Sequence, residues 1–194
     1  MELVKSKSTL QMAITGETEA IVKYDAYSKK AKDEGLPNIA YLFDALVQAE
    51  QIHNRNHYNA LKSVSEVQFT PTIPPKIHVG STLQNLQDSI KGEQYESKNM
   101  YPDFIKEIRD ELREENGRVA KLSFAWAEEV ELGHADALKI ALKALESGHD
   151  LDVQAIFVCR VCGNLVFNEP EEFCSVCGHD QRFFMKINRS GDEK

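Results

Sequence analysis

Ala45-Leu46-Val47-Gln48-Ala49-Glu50-Gln51-Ile52-His53 decides the fold. A largely apolar run ends in a glutamate and, three residues on, a histidine. On a helix the i, i+3 spacing puts carboxylate and imidazole on one face. A lone carboxylate buried in such a stretch is costly unless it is paired or bound to a cation. The pattern returns later as Glu131-Leu132-Gly133-His134, and each half of the chain carries further carboxylates ahead of its pair. These are Glu17 in the first half, and Glu93 and Glu96 of Glu93-Gln94-Tyr95-Glu96 in the second. Two Glu-x-x-His pairs plus extra glutamates, on four amphipathic segments, are the ligands with which a helical bundle holds two iron or manganese ions. A bundle with polar residues there by chance is the competing reading, and the cost of burying them unpaired weighs against it.

Working outward, helical periodicity covers roughly residues 4 to 33, with Ile14, Ile21, Tyr24 and Ala31 available for one face. Gly35-Leu36-Pro37-Asn38 reads as a turn, with Asn38 as N-cap of a second helix over about 38–63. In that helix Ile39, Leu42, Phe43, Leu46, Ala49 and His53 should face inward. Thr70-Pro71-Thr72-Ile73-Pro74-Pro75 cannot be helical, because its prolines remove donors and clash with the preceding turn. It reads as a crossover between two helical hairpins, long enough to allow exchange of helices between chains. Ser81 or Thr82 should cap a third helix over about 82–115, kinked near Tyr101 by Pro102. Asn116-Gly117 should mark its end or a break, and a fourth helix runs to about Ser147-Gly148.

The cysteines are confined to the end of the chain, as Cys159-x-x-Cys162 and Cys174-x-x-Cys177. Paired C-x-x-C knuckles at this spacing make a tetrahedral four-thiolate metal site. Iron and zinc both accept that geometry, so spacing leaves the metal open. Gly163 and Gly178 follow the second cysteine of each pair, where a positive φ is useful. Phe157, Phe167, Phe173, Phe183 and Phe184 are candidates for an aromatic core around the site. The abrupt appearance of cysteine divides the chain into residues 1–153, the bundle, and 154–194, a small metal-binding β module. Two different metal sites in one small protein suggest electron transfer between them.

With 194 residues and a formal net charge of −8, the chain is long enough for one sizeable domain and a small one. A pI near 5.3 argues against nucleic-acid or anionic-membrane binding, which needs a basic patch. No apolar run is long enough to span a membrane, and the N-terminal residues Met1–Ser8 hold no uninterrupted apolar core of signal-peptide type. The expected location is the cytoplasm, where paired cysteines mean metal or redox chemistry more often than disulfides.

Gly16-Glu17, Glu50-x-x-His53, Gly92-Glu93-x-x-Glu96, Met100-Tyr101-Pro102 and Glu131-x-x-His134, followed by Cys159-Arg160-Val161-Cys162-Gly163, together resemble rubrerythrin over nearly the whole chain and in the same order. The resemblance implies a mainly α protein, a ferritin-like four-helix bundle followed by a rubredoxin-like module. Its implied cofactors are two irons in the bundle and one iron on Cys159, Cys162, Cys174 and Cys177, zinc being the alternative for the last. Carried over by position, Glu50 and Glu131 would bridge the two irons, Glu17 would be a terminal ligand of the first, and Glu93 and His134 would hold the second. His53 and Glu96 would share the first iron, histidine when reduced and glutamate when oxidised. Tyr24 and Tyr101 would hydrogen-bond ligand carboxylates, although both also suit a plain bundle core.

The implied activity is a non-haem di-iron peroxidase that reduces hydrogen peroxide to water. Electrons would come from an external reductase or rubredoxin, ultimately from NADH, since no Gly-x-Gly-x-x-Gly fingerprint for the nucleotide occurs here. Head-to-tail pairing in the family implies a homodimer or higher homo-oligomer, because within one chain the two sites can lie far apart. The alternatives are a ferritin-like iron-binding or ferroxidase protein, and a binding module stapled by zinc. Two departures stand out. Glu128, one turn before Glu131, replaces a small apolar residue and is read as facing solvent or a partner chain, an extra carboxylate near the site being the alternative. Ser175 stands where rubredoxin-like modules commonly have proline. His57 is read as a core or rim histidine, and His78, His149 and His179 as exposed.

Overall fold

The computed structural model describes residues 3–66, 68–72 and 76–189. Its helices are α1 (Val4–Asp33), α2 (Pro37–Val64), α3 (Thr82–Tyr95), α4 (Tyr101–Glu107) and α5 (Glu115–Glu146). Strands β1 (Ile156–Cys159), β2 (Leu165–Phe167) and β3 (Phe184–Lys186) follow. Helix α1 packs along α2, α3 packs against α5, and α2 against α5 closes the bundle. The strands form an antiparallel sheet of order β2-β1-β3. The fold is thus mainly helical with a small β module at its end. Among the described residues no helix is long and apolar enough to cross a membrane.

The second helix begins one residue earlier than its sequence suggests, with Pro37 in its first turn, where a missing N–H costs nothing. Asn38 is therefore inside the helix and is not its cap. The free amides of Asn38 and Ile39 are taken instead by the carboxylate of Asp150, at 2.7 and 3.0 Å, from just beyond the end of α5. Helix α1 likewise has no cap of its own; Glu111 accepts from the amides of Lys5 and Ser6 at 2.9 and 2.8 Å. Ser81 caps α3 reciprocally with Gln84. The proline-rich connection is described only in part, and Ile73, Pro74 and Pro75 lie outside the described residues.

The third helical segment is not the single kinked helix expected. After α3 come a π-helical turn (Glu96–Met100), α4, and a 3-10 stretch (Ile108–Arg113). Pro102 has no amide to offer the preceding turn, and the Tyr101 amide instead reaches back five residues to the Glu96 carbonyl. The extra residue matters for direction. Eight residues of regular helix would turn Tyr101 roughly 80° away from Glu93, whereas one residue absorbed by the π turn brings it back to within roughly 20°. The break before α5 falls at Glu114, whose ψ is 144°. Asn116-Gly117 is the first turn of α5 rather than a stop. Gly117 is required there by close approach, since a Cβ would lie 2.1 Å from the Glu111 carbonyl oxygen.

Helix α2 carries the core, with Ile39, Leu42, Phe43, Leu46 and Ala49 fully buried. The β module joins that same core through Ile156, Val158, Leu165 and Ile187, and the segment leading into it through Leu151 and Val153. Tyr41 of α2 ties it down. Its hydroxyl accepts from the Ile156 amide at 3.0 Å and donates to the Ile187 carbonyl at 2.6 Å, while Arg189 stacks over its ring.

Candidate metal centres

Four helices each send acidic side chains to one buried point. Glu17 comes from α1, Glu50 and His53 from α2, Glu93 from α3, and Glu131 and His134 from α5. All six are essentially inaccessible to solvent. Their ligand atoms fall into two overlapping sets, each within a 4.8 Å sphere of mutual distances: Glu17, Glu50, His53, Glu131, and Glu50, Glu93, Glu131, His134. Glu50 and Glu131 belong to both. One of the two sets includes each remaining residue, which is the layout of two adjacent cation positions with two shared carboxylates.

The side chains fit that use. The Nδ1 of His53 lies 2.8 Å from oxygens of both Glu50 and Glu131, and the Nδ1 of His134 lies 2.7 Å from Glu131. Close as they are, the ring N–H directions do not align with these oxygens, and Nδ1 of both histidines, Glu50, Glu131, Glu17 Oε2 and Glu93 Oε2 have no hydrogen-bond partner. Buried polar atoms that converge without bonding one another cost several kcal/mol apiece unless a cation sits among them. The protonation pattern agrees. Burial first, then the neighbouring carboxylates, hold Glu17 and Glu93 well above the usual carboxylate range. Burial also opposes ionisation of Glu50 and Glu131, yet the imidazoles between them bring both below it. Packing these carboxylates together without solvent thus leaves a repulsion that a cation among them would relieve.

Two tyrosines hold the outer carboxylates: Tyr24 donates to Glu93 and Tyr101 to Glu17. Burial and those acids keep both phenols protonated. Glu96 is the one proposed bundle ligand left out of both sets. It opens the π turn, is half-buried, and burial followed by the charges of Glu131 and Glu50 raises its carboxyl well above normal. Glu128 also lies outside both sets and is half-buried, with its carboxyl raised by burial and by Glu129.

The cysteine sulfurs form the other cluster, all within 4.8 Å of one another. Cys159 and Cys177 approach to 3.7 Å, Cys162 and Cys174 to 3.6 Å. The knuckle glycines take the expected positive φ, +91° at Gly163 and +70° at Gly178. The surrounding shell differs from the expected ring of phenylalanines. Val130 and Trp126 of α5 pack on the cysteines with Val161, Val176, Phe183 and Phe184, whereas Phe173 is exposed and Phe167 joins the bundle core. His179 is half-buried rather than exposed, edge-on to both Trp126 and Phe183. Asn164, buried at the knuckle, directs its side-chain amide at Cys174 Sγ from 3.6 Å.

The two clusters are neighbours within one chain, where the sequence leaves room for them to be far apart. The carbonyl of Gly163, the residue after Cys162, accepts from His134 Nε2 at 3.3 Å. That bond also fixes the tautomer that leaves His134 Nδ1 free for the carboxylate cluster. A Cβ on Gly163 would lie 2.6 Å from His53 Nε2, so the knuckle backbone rests on the imidazole. Arg55 and Asn56 clamp the same loop, donating to the carbonyls of Arg160 and Val161 at 2.6 and 2.8 Å. None of these contacts was legible in the motifs, although Gly163 carries the signal of a glycine beside a ligand. His57, one turn beyond His53, is fully buried and lies 3.6 Å from Glu17. Burial, and then His53, push its imidazole down to about 3.

Comparison with known proteins gives one family. The rubrerythrin family profile matches residues 8–142. Rubrerythrin-2 of Clostridium acetobutylicum is 33% identical over 171 residues, 87% of this chain and 89% of that protein. Nigerythrin of Nitratidesulfovibrio vulgaris is 32% identical over 168 residues, 87% of this chain and 79% of its own. A solved structure of nigerythrin in a mixed-valence state superposes with a TM-score of 0.83 at 30% identity, covering 93% of this chain and 86% of the other.

Proposed function

The chain belongs to the rubrerythrin family, with a di-iron type of carboxylate–histidine site and a rubredoxin-like four-cysteine site, and on that premise we propose that it is a peroxidase reducing hydrogen peroxide to water. The observation that carries the reading is the contact between the two donor sets, His134 Nε2 to the Gly163 carbonyl beside Cys162. Iron storage needs no such junction; repeated turnover, which must refill the bundle site with electrons, does. In this reading residues 1–153 and 154–194 are two domains packed on a common core, one for the reaction and one for electron entry.

Each residue has a defined task. Glu50 and Glu131, shared by both donor sets, would serve both ions, Glu17 and His53 would hold the first, and Glu93 and His134 would hold the second. Two ferrous ions bound there would supply the two electrons that cleave the O–O bond. Two protons complete the conversion of one peroxide to two waters. Glu96, outside the ligand sets and with its carboxyl raised, carries one of them at a carboxyl oxygen and passes it to the departing hydroxide. After oxidation the same carboxylate would take over from His53, as the family resemblance implies. Tyr24 and Tyr101 orient Glu93 and Glu17, and the knuckle over His53 keeps bulk water out. With iron on the cysteines, electrons from an external reductase or rubredoxin, drawing on NADH, would enter there, and Cys162, Gly163 and His134 would connect that site to the bundle.

This route lies within one chain, so the relay does not depend on a partner subunit. A homodimer or larger assembly, and a cytoplasmic location, remain part of the proposal on the family resemblance. Reduced, iron-loaded protein supplied with excess reductant should consume peroxide continuously. A single round of oxidation, followed by accumulation of ferric iron on the chain, would assign it to iron handling instead.

A further inference from the structure

Beyond Glu17 a second line of polar groups runs through an otherwise apolar part of the bundle. His57 is fully buried, with the rings of Phe124 and Tyr101 at 5.5 and 5.7 Å. A leucine would suit such surroundings, and an imidazole there must satisfy both nitrogens. It does so: Nδ1 lies 2.5 Å from Ser123 Oγ on α5, and Nε2 lies 3.1 Å from the Tyr101 hydroxyl.

Counting protons sets the direction of every bond. Tyr101 has one hydroxyl proton and gives it to Glu17. Its oxygen must therefore accept from His57, which places the imidazole proton on Nε2. The bare Nδ1 then accepts from the Ser123 hydroxyl. In the reverse order, Nδ1–H would donate to Ser123 and Tyr101 would turn its proton to Nε2, away from Glu17. We infer that His57 and Ser123 are positioning residues that lock the Tyr101 proton onto Glu17, leaving Glu17 Oε2, which has no other partner, for the metal.

The other outer carboxylate provides an internal comparison. Tyr24 donates to Glu93, and among the described residues no group donates to the Tyr24 oxygen. The two cation positions are thus unequal, with the Glu17 side held by three linked groups and the Glu93 side by a single tyrosine. Ser123 touches neither donor set, so replacing it acts on the metal only through the relay.

The inference rests on Glu17 being a ligand, but its tests do not require turnover, so failure of the peroxidase reading would leave them intact. The first is ¹⁵N NMR of histidine-labelled protein loaded with zinc as a diamagnetic probe. His57 should carry its proton on Nε2 alone; a proton on Nδ1, or on both nitrogens, overturns the inference. The second is zinc titration of folded Ser123→Ala and Ser123→Thr proteins. Removing the hydroxyl should weaken one of the two ions about tenfold, the lower range for a group that orients a ligand, and leave the other unchanged. Threonine, which keeps the hydroxyl, should restore it. Equal weakening of both ions, no weakening, or no rescue by threonine would make Ser123 and His57 packing residues only.

Discussion

Replacing Gly163 by alanine tests whether the cysteine knuckle really sits on the bundle site. The new Cβ would lie 2.6 Å from His53 Nε2, 2.9 Å from its Cδ2 and 3.2 Å from the Ala49 carbonyl oxygen. Against a comfortable separation of about 3.5 Å, the first contact is short by about 0.9 Å. Neither neighbour can yield easily, because Ala49 O belongs to helix backbone and the far nitrogen of His53 is enclosed by Glu50 and Glu131. The knuckle itself must lift, at about 1–3 kcal/mol for overpacking. A side chain at φ +91° adds about 1–2 kcal/mol. Gly178 supplies the control. It has φ +70° but nothing within 4 Å of its Cβ, so Gly178→Ala carries only the conformational cost. Denaturant titration of both metal-loaded variants, followed by iron–thiolate colour and by helical circular dichroism, should place Gly163→Ala about 1–3 kcal/mol below Gly178→Ala. The same variant should slow electron transfer from the cysteine iron to the bundle site, because lifting the knuckle breaks the bond from His134. Equal stability and equal transfer rates in the two variants would refute the seat on His53.

Shared and unshared carboxylates should separate in metal stoichiometry: Glu50→Ala and Glu131→Ala should lose both bundle ions, and Glu17→Ala only one, as read by elemental analysis of purified protein. Cys174→Ser should abolish the iron–thiolate colour and slow re-reduction of the bundle site while helical content stays unchanged; normal turnover in that variant would remove the relay role. Glu111→Gln should destabilise the protein by about 1 kcal/mol, a typical capping loss, seen in thermal unfolding. Burial works against ionisation of Glu111, but the Ser6 and Lys5 hydrogen bonds outweigh it and lower its pKa, so its contribution is full above the unfolded value and disappears as pH falls through the folded one. The gap between wild type and Glu111→Gln should therefore close in acid.

Much of the site was legible because its chemistry forces unusual residues into usual places. Glu50 and His53 stand out in an apolar helical run, and spacing alone put each glutamate on one helix face with its histidine, as Glu131 is with His134; the fold then brings the two pairs together. Helix α1 and the inward face of α2 followed from periodicity, and the fourth helix was found, if not its start. What escaped was mostly long-range. The caps of α1 and α2 come from Glu111 and Asp150, more than a hundred residues away, and no local pattern announces them. Gly117 looked like a helix stop because glycine signals both flexibility and close approach, and here the second applies. The π turn was half visible in Pro102, which announced a disturbance without saying that it would be absorbed as one extra residue. The polar contacts that dock the cysteine module on α2 and α5 use backbone carbonyls of Arg160, Val161 and Gly163, which every residue possesses. His57 looked like any core histidine because its partners, Tyr101 and Ser123, come from other helices.

The most direct test of the central claim is anaerobic stopped-flow absorption of fully reduced, iron-loaded protein mixed with hydrogen peroxide. The bundle irons should oxidise rapidly, and ferric–thiolate colour should then appear at a rate independent of protein concentration, since donor and acceptor share a chain. Bundle irons that fail to oxidise with peroxide, or thiolate oxidation that does not follow theirs, would contradict it.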